Sequence, residues 1–153
     1  MNNVVVKIKR LHPDTQIPRY EHYGDSGADL VSVISTVIAP REWRGIPTGI
    51  AAEVPPGYEL QVRPRSGLAL KQGITVLNTP GTIDAGYRGE IVVILLNLNS
   101  EPFSIVKGQK IAQLVVAPVI FGQFQEVEEL TPSTRNQGGF GSTGTIYTGA
   151  NNG

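Results

Sequence analysis

The sequence predicts an all-β domain, and three observations carry that expectation. The 153 residues include 18 glycines and 11 prolines, spread between short apolar runs as frequent turns between short strands require. Those runs either alternate apolar with polar residues or are rich in β-branched side chains, both of which suit strands. Stretches with a helical period are almost absent. A chain of this length forms one domain able to bury about two thirds of its unfolded surface without disulfides, and it has no cysteine to make one.

Composition also excludes. Thirteen basic residues face 13 acidic ones, so formal charge is zero and there is no electrostatic footprint for duplex DNA. No long nucleic acid is expected as a partner, and any bound anion should be small. The longest apolar run, 91–96, cannot span a bilayer, and the apolar start before Lys7 is too short for a signal peptide. With cysteine absent as well, the expectation is a cytoplasmic protein without a membrane partner.

The first strand is expected over 4–9 with Val4, Val6 and Ile8 inward, ended by His12-Pro13. A polar stretch, 13–27, then delivers Asp25-Ser26-Gly27-Ala28-Asp29-Leu30 to the start of an apolar run, 30–34. The chain has four aspartates and two lie in that hexapeptide, although Asp29 taken alone reads as an ordinary edge or turn residue. Residues 41–45 read as a loop in which Trp43 packs rather than stacks on a ligand. Strand 49–54 has Ile50, Ala52 and Val54 on one face. Pro55-Pro56-Gly57 turns the chain, and 58–63 returns with Tyr58, Leu60 and Val62 inward.

One or two helical turns follow, with Ser66 as N-cap and Gly73 just past the end. A helix N-terminus beside Arg65 suits phosphate, the alternative being a capped turn with an exposed arginine. Next comes a hairpin with an elaborate turn: strands over 73–77 and 91–96 flank a connection that carries the Asn78 carboxamide, the Asp84 carboxylate and the Tyr87 phenol. Pro80-Gly81 and Ala85-Gly86 supply two turns, and their glycines let backbone groups face a ligand closely. An aspartate beside glycine is by itself ordinary turn chemistry.

A last strand, 110–117, contains one polar residue, Gln113, which faces solvent or is held for a ligand, with solvent favoured. Glu126, Glu128 and Glu129 read as a solvated strand end. Composition then changes, giving a β-domain over 1–130 and a flexible tail over 131–153 whose large apolar groups are Phe140, Ile146 and Tyr147. Within the tail, Gly139-Phe140-Gly141-Ser142-Thr143-Gly144 matches the dinucleotide fingerprint, but no strand precedes it and no helix follows, so a Rossmann unit is rejected. What survives is local: backbone N–H groups with the Ser142 and Thr143 hydroxyls to cradle phosphate, Arg135 as a cation, and the Phe140 ring to stack on a base.

Taken in order, Asp25 to Leu30, Pro64-Arg65-Ser66-Gly67, Asn78 to Glu90, Gly108 to Gln113, and Arg135 with the 138–144 glycine run resemble the five motifs of the trimeric dUTP pyrophosphatase (dUTPase) family. The third motif is the most specific, and the resemblance covers nearly the whole length. It implies a jelly-roll-like β-barrel or sandwich with one short helix, assembled as a homotrimer with three sites at subunit interfaces. It also implies hydrolysis of dUTP to dUMP and pyrophosphate with Mg²⁺, which keeps uracil out of DNA and supplies dUMP for thymidylate synthesis.

By the same resemblance Asp84 is the catalytic base. Asn78 and the backbone of Gly81, Thr82 and Ile83 read uracil, and the Tyr87 ring excludes a ribose 2′-hydroxyl. Arg65, Ser66, Gly67 and Gln113 hold phosphates. Arg135, Gly141, Ser142 and Thr143 grip the γ end with Phe140 over the base, in a tail that completes a neighbour's site. Asp29 supports the water shell of a Mg²⁺ carried mainly by the substrate phosphates. Two rivals remain at this stage: a dCTP deaminase-like relative on the same fold, and a nucleotide-sensing trimer that regulates a protein.

Overall fold

A computed structural model describes residues 3–146. The alternating runs become ten strands and one short helix: β1 (Lys7–Arg10), β2 (Gly27–Val31), β3 (Thr36–Ile38), β4 (Trp43–Glu53), β5 (Tyr58–Arg63), α1 (Ser66–Gln72), β6 (Ile74–Val76), β7 (Gly81–Ile83), β8 (Glu90–Asn97), β9 (Phe103–Ile105) and β10 (Lys110–Pro118). They form two four-stranded sheets, β1-β4-β8-β6 and β2-β10-β5-β7, with β3-β9 as a separate pair. All pairings are antiparallel. Inward residues of both sheets, among them Leu30, Ile50, Leu60, Ile74, Val93, Leu95, Ile111 and Leu114, share one apolar cluster. The result is the jelly-roll-like all-β architecture expected.

Two strands show the logic. In β8, Ile91, Val93, Leu95 and Asn97 are buried while the alternate positions are not, as a period of two dictates. Asn97 is tolerated inside because its Nδ2 donates to Ile38 O (3.1 Å) and Glu101 O (2.8 Å) and its Oδ1 accepts from Asn99 N–H (2.9 Å). In β4 the ladder to β8 jumps from Pro47↔Val92 to Ala51↔Glu90. That irregularity is a bulge, and it buries both faces of 48–52.

The structure corrects several local expectations. The first strand begins at Lys7, although Val4, Val6 and Ile8 do pack against the core. The second begins at Gly27 and ends at Val31, which puts Asp29 inside a strand. Gly27 is suited there because a Cβ would overlap the Gln113 side chain lying over it. Trp43 opens β4 opposite Leu96 instead of sitting in a loop, and at 64 % exposure its ring is not packed within this chain. At α1 the N-cap position falls to Arg65, in extended conformation and without a side-chain cap, and Ser66 is the first helical residue. The helix has seven residues, so it offers no dipole site of consequence. Gly73, at φ 62°, closes it as expected.

The central hairpin exists, with β6 and β8 paired through Ile74↔Asn97, Thr75↔Leu96 and Val76↔Leu95. Its turn is more than a turn. Residues 81–83 leave that sheet and add β7 to the other one through Leu60↔Ile83, Gln61↔Thr82 and Val62↔Gly81. The connection is therefore clamped to both layers of the sandwich.

The chain divides into two compact units, 1–120 and 121–153, earlier than the composition change at 131. In the second unit no helix or strand occurs among the described residues, and Phe121, Phe124, Leu130 and Phe140 are exposed. Tyr147 lies outside the described residues. Among the described residues no helix is long and apolar enough to cross a membrane.

Candidate active site

Strand β7 alternates Gly81 and Ile83 inward with Thr82 outward, and Asp84 follows on the exposed side. Together with Asn78 and Tyr87 these residues line one cleft of about 210 Å³. A Cβ at residue 81 would lie 3.3 Å from both Asn78 Nδ2 and Val62 Cβ, so glycine lets the carboxamide sit against the strand. Tyr87 N–H donates to Asp84 O at 3.0 Å, closing the turn behind the carboxylate. Arg88 Nη1 ties the same turn to Ala85 O (2.7 Å) and Tyr87 O (3.0 Å). The phenol donates to Glu90 O at 3.0 Å, which folds the ring over Gly89, where any Cβ would collide with it.

The remaining predicted residues of the first unit line a second concavity of about 520 Å³. Asp29 and Gln113 sit opposite each other in the β2–β10 ladder. Gln113 is half-buried and its Nε2 donates to Pro64 O at 2.9 Å, so it is held inward rather than turned to solvent. Asp29, with 19 % of its side chain exposed, pairs through Oδ1 with Arg65 Nε (3.3 Å) and through Oδ2 with Lys110 Nζ (2.7 Å). Lys110 Nζ also meets Glu21 Oε2 at 2.9 Å. The bonds to Asp29 and then to Glu21 raise the Lys110 pKa above its ordinary value. The bond to Lys110 holds the Glu21 carboxyl below its own. Ser66, Gly67 and Lys71 complete the wall.

This cleft balances three carboxylates, Glu21, Asp25 and Asp29, against three cations, Arg65, Lys71 and Lys110. It has no charge surplus to offset a triphosphate. Among the described residues no group of three or more His, Cys, Asp or Glu could hold a metal. Carboxylates such as those in this cleft suit a hydrated Mg²⁺ as acceptors for its coordinated water.

The second unit is a chain of turns. Arg135 Nε donates to Gly138 O at 2.7 Å, and Gly138 N–H returns to Arg135 O at 2.9 Å. Ser142 N–H bonds Gly139 O and Gly144 N–H bonds Gly141 O. Gly141 and Gly144 have φ of 92° and 79°, a region that glycine reaches without steric penalty, while Phe140 at 47° bears left-handed strain. Turn follows turn where a dinucleotide fold needs strand, loop and helix. The Phe140 ring, Ser142 and Thr143 are exposed.

The predicted residues therefore fall into three groups: a hairpin cleft, a charge-paired cleft and a turn-rich motif. Glu21, Lys110 and Glu90 were not singled out from sequence as site residues. The only signal for Glu90 and Lys110 was their place in the third and fourth motifs; Glu21 had none.

The family model described as dUTPase matches residues 14–144. A deoxyuridine 5′-triphosphate nucleotidohydrolase of Crocosphaera subtropica is 57 % identical over 139 residues, covering 91 % of this chain and 98 % of the relative. One from Clostridium tetani is 52 % identical over 144 residues, covering 94 % and 99 %. Among solved structures, a Staphylococcus bacteriophage 80alpha dUTPase with dUPNHPP superposes with a TM-score of 0.83 at 29 % identity, over 92 % of this chain and 99 % of that one. A mutant dUTPase of S. aureus phage phi11, solved with attention to coordination of a structural Mg(II) ion, gives 0.77 at 25 % identity, over 84 % and 99 %. The family model and these relatives cover most of the chain, the solved structures share its fold, and the chain belongs to the dUTPase family.

Proposed function

We propose that this protein hydrolyses dUTP to dUMP and pyrophosphate, and that Asp84 is its catalytic base. The observation that carries the reading is the hairpin cleft, where two carboxylates, Asp84 and Glu90, one carboxamide and glycine-rich backbone line a space of about 210 Å³. Uracil presents an acceptor at O4 and a donor at N3, and cytosine inverts both. The Asn78 carboxamide and the 81–83 backbone pair with the first pattern and leave the second unpaired, a discrimination of up to about 10⁴. In this reading the Tyr87 ring, which its phenol holds to Glu90 O, packs under the sugar and leaves no room for a 2′-hydroxyl.

Asp84 takes a proton from a water, whose oxygen attacks the α-phosphorus in line; the bond to the bridging oxygen breaks and pyrophosphate leaves. Arg65, Ser66, Gly67 and Gln113 hold phosphate oxygens. Mg²⁺, when bound with the nucleotide, would neutralise charge developing on the phosphates, and in this proposal Asp29 accepts from its waters beside its pairs with Arg65 and Lys110. In this proposal the protein is a cytoplasmic homotrimer. Arg135, Phe140, Gly141, Ser142 and Thr143 of one chain close over the nucleotide at a neighbour's Asp84 cleft, and product dUMP feeds thymidylate synthesis.

Pyrophosphate release measured with Mg²⁺ from dUTP, dTTP, dCTP and UTP tests the reading. Turnover of dUTP with the other three rejected by orders of magnitude is expected. Comparable turnover of dCTP, or ammonia release from it, would overturn it.

A further inference from the structure

The hairpin cleft is lined by two carboxylates, Asp84 and Glu90, and they are not equivalent. Among the described residues the Asp84 carboxylate has no hydrogen bond or ion pair. Glu90 Oε1 accepts the Gly49 N–H at 2.8 Å, across 41 residues of sequence. That N–H is unusual. It lies in the β4 bulge, where the ladder to β8 is interrupted between Pro47 and Ala51, and a side-chain carboxylate serves as its acceptor. Gly49 itself has φ 70°, and a Cβ there would overlap Thr15 Oγ1, which donates to Gly49 O at 2.9 Å. Thr48 Oγ1 donates to Ile91 O at 2.5 Å on the same strand junction. The bulge is thus locked from both sides, and two side chains join it to β8, the Thr48 hydroxyl through Ile91 O and the Glu90 carboxylate through Gly49 N–H; of these Glu90 is the one that belongs to the hairpin. The main chain of Glu90 does the second half of the work, because its O accepts the Tyr87 phenol at 3.0 Å.

We infer that Glu90 is a positioning residue for deoxyribose discrimination: its side-chain acceptor pins the root of the hairpin to the β4 bulge, and its carbonyl, held in place by that pin, sets the Tyr87 ring. What the pin needs is an acceptor oxygen, not a charge. A neutral amide at residue 90 keeps the bond to Gly49 N–H; an apolar residue strands that donor and frees the strand start that anchors Tyr87. The effect then appears in sugar selectivity and in KM, ahead of kcat, since Asp84 stands on the β7 side of the connection, clamped separately to β5.

The inference rests on the dUTP reading, and the test keeps the two apart. Wild type, Glu90→Gln and Glu90→Val are compared for kcat and KM with dUTP and UTP, and the Gly49 amide is followed by NMR hydrogen exchange. The expected result is a protected Gly49 amide and activity within about threefold for Glu90→Gln. For Glu90→Val, the amide loses protection and the dUTP-over-UTP ratio falls by about 10- to 100-fold. A Glu90→Gln protein that loses about 100-fold in kcat while Gly49 stays protected would place the charge of Glu90 in the chemistry and overturn the inference. So would Glu90→Val with unchanged sugar selectivity, or an unprotected Gly49 amide in wild type, a measurement that stands even if Glu90→Val fails to fold. Wild type inactive on dUTP would defeat the functional reading instead, leaving the pin to be judged by the amide and by the relative affinity for dUMP and UMP.

Discussion

Asp84, Asn78 and Tyr87 share one connection in the sequence and one cleft in the structure, but it was the family resemblance that marked them as a site, since an aspartate beside glycine is by itself ordinary turn chemistry. The expected consequence is direct: Asp84→Asn keeps nucleotide binding and loses at least about 10³ in turnover, as pyrophosphate release beside a binding titration would show. Glu21 and Glu90 were not legible, since each acts on a partner 89 or 41 residues away. Gln113 was read toward solvent for the same reason: its acceptor, Pro64 O, is 49 residues distant. The Glu21–Lys110 pair also makes a pH statement. The Glu21 pKa is lowered from 4.5, so the stability it adds is complete above 4.5 and is lost as pH falls through its folded value. The Lys110 pKa is raised from 10.5, so its share is complete below 10.5 and is lost as pH rises beyond. The difference in urea midpoint between wild type and Lys110→Met should accordingly stay constant between those limits and shrink below 4.5. A difference that titrated near neutral pH would mean other groups control this cleft.

At the scale of elements, alternation was enough to predict β5, because one of its faces is core, while β8 was expected from its β-branched apolar run and its inward face emerged only in the structure. It failed where pairing overrides local pattern. Trp43 enters a strand through its register with Leu96, and residues 81–83 become β7 only because β5 offers an edge. A capping serine was expected at α1, yet Arg65 holds that position and pairs with Asp29 instead. The least replaceable polar side chain in the sheets is Asn97, fully buried and bonded to Ile38 O, Glu101 O and Asn99 N–H. Asn97→Leu strands all three, and a loss of about 2–4 kcal/mol is expected, read as a lower denaturant midpoint at constant slope. A change well under about 1 kcal/mol would show that water replaces those bonds.

For the whole molecule, the sequence separated a β-domain from a polar tail, and the structure has two compact units that divide after Ile120. Residues 121–130 still carry Phe121, Phe124, Val127 and Leu130, all exposed here, so the composition changes later along the chain than the division between the two units. Truncation after Leu130 removes little apolar surface, so the remaining chain should stay folded and trimeric while efficient turnover disappears; an unfolded truncation would make the tail structural. The central claim is that a working dUTP site takes Asp84 from one chain and the tail motif from another. The most direct measurement co-refolds equal amounts of two inactive proteins, full-length Asp84→Asn and the truncation with Asp84 intact. In randomly mixed trimers a site works when its Asp84 comes from the truncated chain and its tail from the other, so about a quarter of wild-type pyrophosphate release should return. Verified mixed trimers that remain inactive would show that each tail serves its own chain and would contradict the shared site.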